Sequence, residues 1–355
     1  MKIVKFGGTS LATAENILQA KHIVDLDKSR TFIVVSAPGR SPDFSRKVTD
    51  LLIDAHAQLC YADSCDTCDL VFRRFRRLSA DLKIDMEAEI ARVFEEVLIN
   101  KCDYDFIISR GEYLMSILFA RLLGYRFLDA ANYVVIKKNG LVNFQKTRER
   151  FQKLNKNERY VMGGFFGRKE IGEGVKTFTR GGSDYSAAIA AVCLGANLYE
   201  NFTDTHGVQS ANPALVKNTK NIAELDYATL YKLSLGGASV IYPNCVPLLK
   251  CHAMPLKVDC TFEPGKKFTV ISAKKPQNKF FSITYETKQN INKDTVEILC
   301  VYNKIKFEIR QLRELMGSIE VYLVRFERDS FVLLTPANNL KIVVNLLHGF
   351  FDKFV

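Results

Sequence analysis

The first residues of the chain run from a short alternating segment directly into a pair of glycines. Residues 1–6 alternate as a β-strand does, and residues 12–20 favour a helix. The connection between them holds one lysine, two glycines and two hydroxyl side chains: Lys5, Gly7, Gly8, Thr9 and Ser10. Glycines before a helix let backbone N–H groups face an anion, and a nearby lysine can hold charge on a phosphoryl group. The segment predicts a phosphate site, with a plain turn as the alternative.

A second glycine turn lies in the middle of the chain. Residues 177–188 contain a glycine pair before a run of small residues, flanked by Arg180 and Asp184. Ser183 or Asp184 is predicted to cap the helix that follows. Taken alone, the segment also fits a capped helix with an unrelated arginine. Two glycine-lined helix starts, one with a lysine and the other with an arginine, together indicate a reaction between two anions.

Seven short motifs follow one another along residues 1–265. They are residues 5–10, Val35-Ser36-Ala37, residues 49–52, Gly111-Glu112, residues 164–167, residues 180–184 and Thr203-Asp204. Their order and spacing resemble those of aspartate kinases, and a series of this length is more specific than any one motif. The resemblance implies an α/β fold: a three-layer α/β/α sandwich of the amino-acid-kinase type with a small α+β ACT-like C-terminal domain.

The same resemblance implies a reaction. An aspartate kinase uses ATP and Mg²⁺ to transfer the γ-phosphoryl group to the β-carboxylate of L-aspartate, giving 4-phospho-L-aspartate. This is the first step of the aspartate-derived amino-acid pathway, which includes lysine biosynthesis. A free β-carboxylate has a pKa of about 3.9 and is ionised at neutral pH, so the nucleophile needs no general base. The obstacle is repulsion between anions, which positive charge and positioning must overcome.

The family motifs also imply a role for each site residue. Lys5 contacts the transferring phosphoryl group, and Asp184 orients Lys5 or the metal–nucleotide environment. Arg180 clamps the substrate carboxylate through its planar fork, and Glu112 pairs with the substrate ammonium group. The other implied positions are Ser36, Thr49, Phe165 and Ser183 in the aspartate pocket, and Gly7, Gly8, Ser10, Thr203 and Asp204 at the nucleotide. No residue is predicted to ligate a metal.

For Glu112 the residues alone favour a different interpretation. The segment Ser109-Arg110-Gly111-Glu112 precedes an apolar run that reads as a helix. A carboxylate near a helix N-terminus is stabilised by the helix dipole and is ordinarily solvated. Without the family, Glu112 is predicted to be such an exposed carboxylate at the start of a helix.

The nucleotide side departs from the family pattern at several positions. The replacements are Gln209 for tyrosine, Asn212 for aspartate, Ala214 for arginine, Ser239 for a lysine that meets nucleotide phosphates, and Tyr242 for a frequent histidine. Losing two charge-assisted hydrogen bonds, at about 1.5 to 3 kcal/mol each, predicts ATP binding weakened by a factor on the order of a hundred. Lys217 or Lys220 could compensate. Two alternatives therefore stay open: a kinase of this fold for another acidic small molecule, and a non-catalytic amino-acid or nucleotide sensor.

A domain boundary is predicted between residues 262 and 280. A turn and a polar stretch there separate a catalytic domain, residues 1–272, from a C-terminal domain, residues 280–355. The pattern of the C-terminal domain is strands 280–285 and 295–302, a helix 306–316, strands 319–327 and 330–334, and a helix 340–351. This order resembles one ACT unit, whereas aspartate kinases normally hold two. We therefore expect weak or no inhibition by lysine or threonine, and a homodimer formed through the unpaired edges of the lone unit.

Charge and hydropathy restrict the partners and the location. The formal net charge is +11, and residues 72–77 interleave four arginines with Phe72 and Phe75. On a helix the two rings share one face and the arginines spread over the other, so an amphipathic surface helix is predicted rather than nucleic-acid binding. The most apolar stretch, residues 187–196, is too short to span a bilayer, and no leader precedes the first strand. We expect a cytoplasmic protein without a membrane partner.

The cysteines offer one arrangement that resembles a metal site. Cys65 and Cys68 have the spacing of a ligand pair, and Cys60 lies nearby. A zinc site needs a second pair at ribbon or finger spacing, which the sequence lacks. Thiols that lie at the surface or pack in a helical insertion between Ala37 and Glu112 are predicted instead.

Overall fold

The computed structural model describes residues 1–61, 65–179, 181–290 and 293–355, with the side chains of all of these except 288–290 and 293. Contacts divide the chain into two compact units. Unit 1 consists of Met1–Thr205 and Asp259–Pro264, and unit 2 consists of His206–Val258 and Gly265–Val355. The predicted domain boundary at residues 272–280 lies inside unit 2 and stays a prediction.

The strands of unit 1 form a large parallel sheet and a small mixed one. They are β1 (Lys2–Phe6), β2 (Arg30–Val35), β3 (Arg126–Leu128), β4 (Val135–Ile136), β5 (Tyr160–Gly163), β6 (Phe166–Lys169), β7 (Val175–Thr177) and β8 (Leu198–Thr203). Strands β8, β1, β2, β5 and β3 are neighbours in that order, and each pair is parallel. Strands β4, β6 and β7 form the small sheet.

Helices cover both faces of the parallel sheet. They include α1 (Ala14–Asp25), α2 (Val48–Leu59), α3 (Asp66–Asp81), α4 (Glu87–Ile99), α5 (Tyr104–Leu123), α6 (Phe144–Phe151) and α7 (Gly182–Leu194). Because Phe32 is the register partner of Ile3, Phe32 and Phe6 point to opposite faces. Phe6 packs on Phe119 of α5, and Phe32 packs on Phe151 of α6. This arrangement confirms the predicted three-layer α/β/α fold.

The glycine turn after β1 does not lead directly into an α-helix. A short 3-10 helix, Thr9–Leu11, comes first, and α1 begins at Ala14 rather than at residue 12. The Thr13 side chain accepts a hydrogen bond of 3.3 Å from the amide of Asn16, which satisfies one of the unpaired N–H groups of the first turn. This cap sets the start of the helix.

Helix α3 contains the arginine and phenylalanine segment. Phe72 and Phe75 are buried as predicted, and Arg77 is exposed. Arg74, however, has no exposed surface, so the prediction that all four arginines lie on the solvated face was wrong. Backbone carbonyls accept hydrogen bonds from its guanidinium group and replace water there.

The cysteine pair lies where α3 begins. The Cys65 sulfur accepts a hydrogen bond of 3.2 Å from the amide of Cys68, so Cys65 caps the helix. Both residues are buried in the helical insertion, so of the two predicted placements the structure shows packed rather than surface thiols for this pair. Among the described residues, no group of three metal-ligating side chains comes together.

Unit 2 holds the remaining elements. Its strands are β9 (Val208–Gln209), β10 (Asn221–Ile222), β11 (Glu224–Asp226), β12 (Leu256–Cys260, whose last two residues belong to unit 1), β13 (Thr269–Ser272), β14 (Phe280–Asn290), β15 (Lys293–Asn303), β16 (Tyr322–Phe326) and β17 (Ser330–Pro336). Its helices include α8 (Tyr227–Leu235), α9 (Cys245–Cys251), α10 (Ile309–Met316) and α11 (Leu340–Asp352).

The C-terminal elements follow the predicted order of two strands, a helix, two strands and a helix. The strands form an antiparallel sheet in the order β14, β15, β17, β16. The core of this sheet is aromatic, with Phe281, Phe331 and Phe351 stacked in pairs. Ala211 and Val216 belong to the same buried cluster, which explains why residues 206–258 group with the C-terminal elements in unit 2.

Candidate active site

The predicted site residues of unit 1 gather at one edge of the parallel sheet. Lys5 lies near the end of β1, Ser36 follows β2, Phe165 follows β5, and Thr203 ends β8. The carboxyl ends of neighbouring parallel strands meet at the same edge, where ligands of open α/β sheets bind. The Ser36 amide donates a hydrogen bond of 3.2 Å to Phe6, which joins the ends of β1 and β2.

Lys5 forms an ion pair with Asp184. The Lys5 Nζ and Asp184 Oδ1 atoms are 2.7 Å apart, and only 10% and 14% of the two side chains are exposed. Side chains alternate along β1, so Lys5 points away from the Phe6 face and towards α7, which carries Asp184. The two residues that were predicted to be catalytic are therefore in direct contact.

The start of α7 differs from the prediction. Gly181 occupies the N-cap position with a φ of 83°, and no side chain caps the helix. The prediction that Ser183 or Asp184 caps α7 was wrong, because the glycine reaches the left-handed conformation that ends the preceding turn. The Asp184 carboxylate is instead used by Lys5. Arg180, just before this turn, lies outside the described residues.

The glycine turn, Gly7 and Gly8, packs against a third glycine. The Gly39 amide donates a hydrogen bond of 2.7 Å to the Gly8 carbonyl, and a Cβ on Gly39 would lie 2.7 Å from the Gly8 carbonyl carbon. A Cβ on Gly8 would meet the Ala37 oxygen at 2.8 Å. Only glycine fits on either side of this contact. The sequence reasoning missed Gly39, although the Pro38-Gly39 pair is a turn signal.

Ser10 lies behind the glycine turn. Its hydroxyl is completely buried, 2.6 Å from the hydroxyl of Thr261. The side chain is thus engaged with the protein, so a contact of Ser10 with a nucleotide would have to use its backbone amide.

Glu112 lies in the third turn of α5, not at a helix start. Its side chain is buried, so the interpretation as a solvated carboxylate was wrong. Burial raises the pKa of Glu112 to about 8, while the hydrogen bond from the Ala37 amide opposes that shift. Among the described residues, Oε2 of this carboxylate has no hydrogen-bond partner. A buried carboxylate with an unsatisfied oxygen is costly for the protein alone, and a cationic ligand would satisfy it.

Close contacts at two glycines join the elements that carry the other predicted pocket residues. A Cβ on Gly111 would lie 2.9 Å from Val48, which precedes Thr49 in the first turn of α2. A Cβ on Gly164 would lie 2.7 Å from Cα of Ser183. These glycines let α5, α2, β5 and α7 approach one another at the sheet edge.

Phe165 has a strained backbone. Its φ is 76°, a conformation that bulky residues rarely adopt. The Ser186 hydroxyl accepts a hydrogen bond of 3.0 Å from the Phe165 amide, and the Phe165 carbonyl accepts one of 2.8 Å from Phe178. These bonds fix the loop after β5 in the shape that brings Phe165 to the site.

Thr203 and Asp204 lie at the end of β8, beside β1. The Thr203 hydroxyl donates a hydrogen bond of 3.1 Å to the Asp204 carboxylate, and Asp204 is exposed. The Gly7 amide donates to the Phe202 carbonyl at 3.1 Å, which ties the glycine turn to the same strand.

The family departures lie in unit 2, and the side chains of Gln209 and Asn212 serve local structure. The Gln209 side chain donates to the His206 carbonyl and accepts a hydrogen bond of 3.2 Å from Thr219. Asn212 donates to the Tyr285 hydroxyl at 3.1 Å. Ser239 is exposed in a turn, and Lys220 forms an ion pair of 2.8 Å with Asp352. Of the two lysines that could compensate, Lys220 is therefore already partnered.

Comparison with known proteins identifies the family. The chain matches the Amino acid kinase family over residues 1–258 and belongs to it. It is 34% identical to Aspartokinase 3 of Bacillus subtilis, over 78% of this chain and 64% of that protein. It is 27% identical to the aspartokinase of Chlamydia pneumoniae, over 90% of this chain and 72% of that protein. The chain thus spans a little less than two thirds of the Bacillus relative, and the resemblance to aspartate kinases is confirmed.

Solved structures confirm the fold. The aspartate kinase of Clostridium acetobutylicum matches 99% of this chain and 100% of its own, with a TM-score of 0.82 and 23% identity. Escherichia coli aspartokinase III, in complex with aspartate and ADP, matches 98% and 99% with a TM-score of 0.83 and 17% identity. Within the described part of the chain, no helix is long and apolar enough to cross a membrane.

Proposed function

We propose that this protein is an aspartate kinase, which phosphorylates the β-carboxylate of L-aspartate with ATP. The observation that carries the proposal is the arrangement at the edge of the unit 1 sheet. The Lys5–Asp184 ion pair lies beside a turn where only glycine fits, and a buried, incompletely satisfied Glu112 lies at the same edge. A cation for the phosphoryl group and an anion for the substrate ammonium group are what the reaction requires.

Lys5 supplies the positive charge in this mechanism. The ion pair with Asp184 fixes the position of the ammonium group, so little reorganisation is needed as charge develops on the phosphoryl group. A Cβ on Gly7 would lie only 3.5 Å from Lys5 Nζ, so the absent side chain leaves the space beside the ammonium group open. The attacking carboxylate is ionised at neutral pH, and no general base is assigned.

Glu112 holds the substrate amino acid. Burial raises its pKa more than the Ala37 amide and the positive charge of Arg110 lower it, and the substrate ammonium group would favour the ionised form. The Ala37 amide already orients the carboxylate. We assign Ser36, Thr49, Phe165 and Ser183 to the walls of the same pocket, and Arg180 to the substrate carboxylate.

The nucleotide is proposed to be ATP with Mg²⁺. Mg²⁺ bound with ATP would neutralise phosphate charge, and it is usually held by phosphates, water and one or two carboxylates rather than by a protein cage. The residues fit that mode, since no metal-ligating cluster occurs among those described and the exposed Asp204 carboxylate lies at the sheet edge. Gly7, Gly8, Ser10, Thr203 and Asp204 are assigned to the nucleotide side.

Acyl phosphate trapping tests the proposal. Purified protein with ATP, Mg²⁺ and hydroxylamine should form a hydroxamate with L-aspartate, and much less with glutamate or carbamate. A higher rate with glutamate or carbamate would indicate a kinase for another acidic molecule. No product at millimolar ATP, together with measurable aspartate or nucleotide binding, would indicate a sensor, for which the replaced nucleotide positions are the supporting observation.

We further propose that residues 280–355 form a single ACT-like regulatory or dimerisation domain, and that the protein is cytoplasmic and serves the aspartate-derived amino-acid pathway. The antiparallel sheet with α10 and α11 supports the first of these proposals. A homodimer is proposed through the edge strand β16. All five of its residues are exposed, including the apolar Tyr322, Leu323, Val324 and Phe326. An exposed apolar edge strand is a template for pairing with another chain.

An antiparallel pair of β16 strands, with the β-bulge residue Val324 at its centre, would bring complementary side chains together. In an antiparallel pair centred on Val324, Tyr322 would face the partner's Phe326, and Glu320 would face the partner's Arg328. Aromatic and opposite-charge pairs across strands are both stabilising. Analytical ultracentrifugation should find a dimer that Val324→Lys converts to a monomer, while Ile342→Lys, on the exposed face of α11, leaves it intact. A Val324→Lys protein that remains dimeric would contradict this interface.

A further inference from the structure

Arg74 of α3 is a buried cation that has no carboxylate partner among the residues that the structure describes. Its side chain has no exposed surface, and burial alone lowers its pKa to about 10, which leaves it charged at neutral pH. Among the described residues, its hydrogen bonds go to three backbone carbonyls, and Nε has no partner. An unpaired charge in this position costs the fold stability that an apolar side chain would not cost. The three carbonyls that it joins are therefore the structural reason for an arginine here.

The three carbonyls belong to two segments that border the active site. Ala12, at 3.1 Å, follows the 3-10 helix that continues from the glycine turn. Gly39 and Arg46, the latter at 3.2 Å, lie in the β2–α2 loop, residues 36–47. The guanidinium carbon also lies 5.0 Å from the centre of the Phe44 ring in this loop. One planar group thus joins the segment after Gly8 to the loop that begins at Ser36.

The glycine turn and the β2–α2 loop are in such close contact that a shift of one would move the other. Gly39, which accepts a hydrogen bond from Arg74, donates its own amide to Gly8 at 2.7 Å. The β2–α2 loop also carries Ala37, whose amide holds Glu112, and it leads into the helix turn with Thr49. The Arg74 side chain is therefore linked to the glycine turn through Gly39, and to Glu112 of the aspartate pocket through residues 37–39 of the loop.

We propose that Arg74 is a positioning residue for phosphoryl transfer, which fixes the glycine turn against the β2–α2 loop so that both substrates are held in register. This inference rests on the proposed function. Arginine suits the task because its fork reaches several acceptors at fixed angles, whereas lysine has one ammonium group on a flexible stem. A displacement of about 1 Å between reacting groups can lower the rate on the order of a hundredfold.

The test compares Arg74→Met and Arg74→Lys with Arg77→Met. Arg77 lies on the same helix, but its side chain is 68% exposed and pairs only with Asp81 among the described partners. Both Arg74 variants should raise the KM for ATP and for aspartate and lower kcat/KM by about ten- to a hundredfold, with lysine restoring little. Arg77→Met should behave as the wild type. KM reports the folded molecules only, so a variant that is merely less stable would keep the wild-type KM.

Hydrogen exchange separates this inference from the proposed function. In the Arg74 variants, amides of residues 8–12 and 37–46 should exchange about tenfold faster or more, whereas those of β8 should not change. Unchanged exchange in these segments, or a wild-type KM in Arg74→Met, would overturn the positioning role. A wild-type protein that forms no acyl phosphate would overturn the proposed function alone, because the exchange measurement still decides whether Arg74 ties the two segments.

Discussion

The candidate site in unit 1 and the segments of unit 2 that depart from the family pattern use their residues in different ways. In unit 1, the motif resemblance singles out Lys5, Asp184 and Glu112, which lie at one sheet edge; Lys5 and Glu112 are buried and Asp184 is half-buried. In unit 2, Gln209 is occupied with its own loop and Ser239 is exposed. Under the proposed reaction between two anions, the charged groups of the first region must stay in place, whereas changes in the second region would alter the affinity for the nucleotide.

The largest effect is expected at Lys5. Lys5→Ala removes the cation beside the glycine turn and should lower kcat on the order of a thousandfold, as the loss of one preorganised charge stabiliser typically does. Hydroxamate formation measures the rate. Lys2→Ala is the matched control, since Lys2 lies on the same strand but pairs with Asp27 at a more exposed position. Comparable activity in the two variants would contradict the role of Lys5.

The next effect concerns Glu112 and pH. In the folded protein Glu112 keeps its proton up to about pH 8, compared with an ordinary value of 4.5. The folded state therefore binds more protons than the unfolded state between these values, and the contribution of Glu112 to the free energy of unfolding falls as the pH rises through this window. Glu112→Gln should remove this pH dependence, as thermal unfolding of the unliganded protein from pH 5 to about pH 8 would show.

Substrate binding should reverse the protonation of Glu112. The ammonium group of aspartate favours the carboxylate, so binding near pH 7 should release a proton, and the KM for aspartate should fall as the pH approaches about 8. Glu112→Gln should abolish the proton release and raise this KM by about ten- to a hundredfold. Calorimetry in buffers of different ionisation enthalpy measures the release. The control variant Glu96→Gln should still release the proton. Release that also persists in Glu112→Gln would show that another group loses the proton.

Tighter ATP binding is expected when a residue of the family pattern is restored in unit 2. Ser239→Lys restores the lysine of the family pattern and should lower the KM for ATP by about tenfold, with kcat nearly unchanged. Steady-state kinetics with varied ATP checks this result. Asn278→Lys adds the same charge at another exposed position of unit 2 and serves as the control. Equal effects of both variants would mean that general charge, rather than a specific contact, is responsible.

The smallest effect is expected from amino-acid effectors. With one ACT-like unit in residues 280–355, lysine and threonine should have little differential affinity for two states of the enzyme, and inhibition should be weak or absent. Initial rates with either amino acid up to millimolar concentrations test this expectation. Potent inhibition at micromolar concentrations would show that the lone unit retains an effector site.

Much of the fold could be predicted from the sequence. Strand β1, the helical insertion and the six C-terminal elements follow the hydrophobic patterns that indicate them, because local periodicity decides those elements. The start of α1 and the N-cap of α7 could not be predicted. Thr13 and Gly181 have neighbours with a similar preference for the N-cap position, so the local sequence does not decide between them. The end of a helix depends on which of the neighbouring residues makes the better hydrogen bonds in the folded protein.

The site was predictable where motifs carry chemistry and not where tertiary contacts decide. Lys5 and Asp184 came from motifs and are in contact. Two interpretations of Glu112 stayed open, an exposed carboxylate at a helix start and a partner of the substrate ammonium group. The sequence of residues 109–112 does not show that this segment is buried in the folded protein. Arg74 was mistaken for a surface residue, since helical periodicity cannot reveal that three carbonyls from distant loops converge on one arginine.

A crystal structure with L-aspartate and a non-hydrolysable ATP analogue tests the proposed roles of Lys5 and Glu112 most directly. We predict that Lys5 Nζ lies within hydrogen-bond distance of the γ-phosphate and that the Glu112 carboxylate contacts the ammonium group of aspartate. Aspartate bound elsewhere, or a γ-phosphate out of reach of Lys5, would contradict these roles.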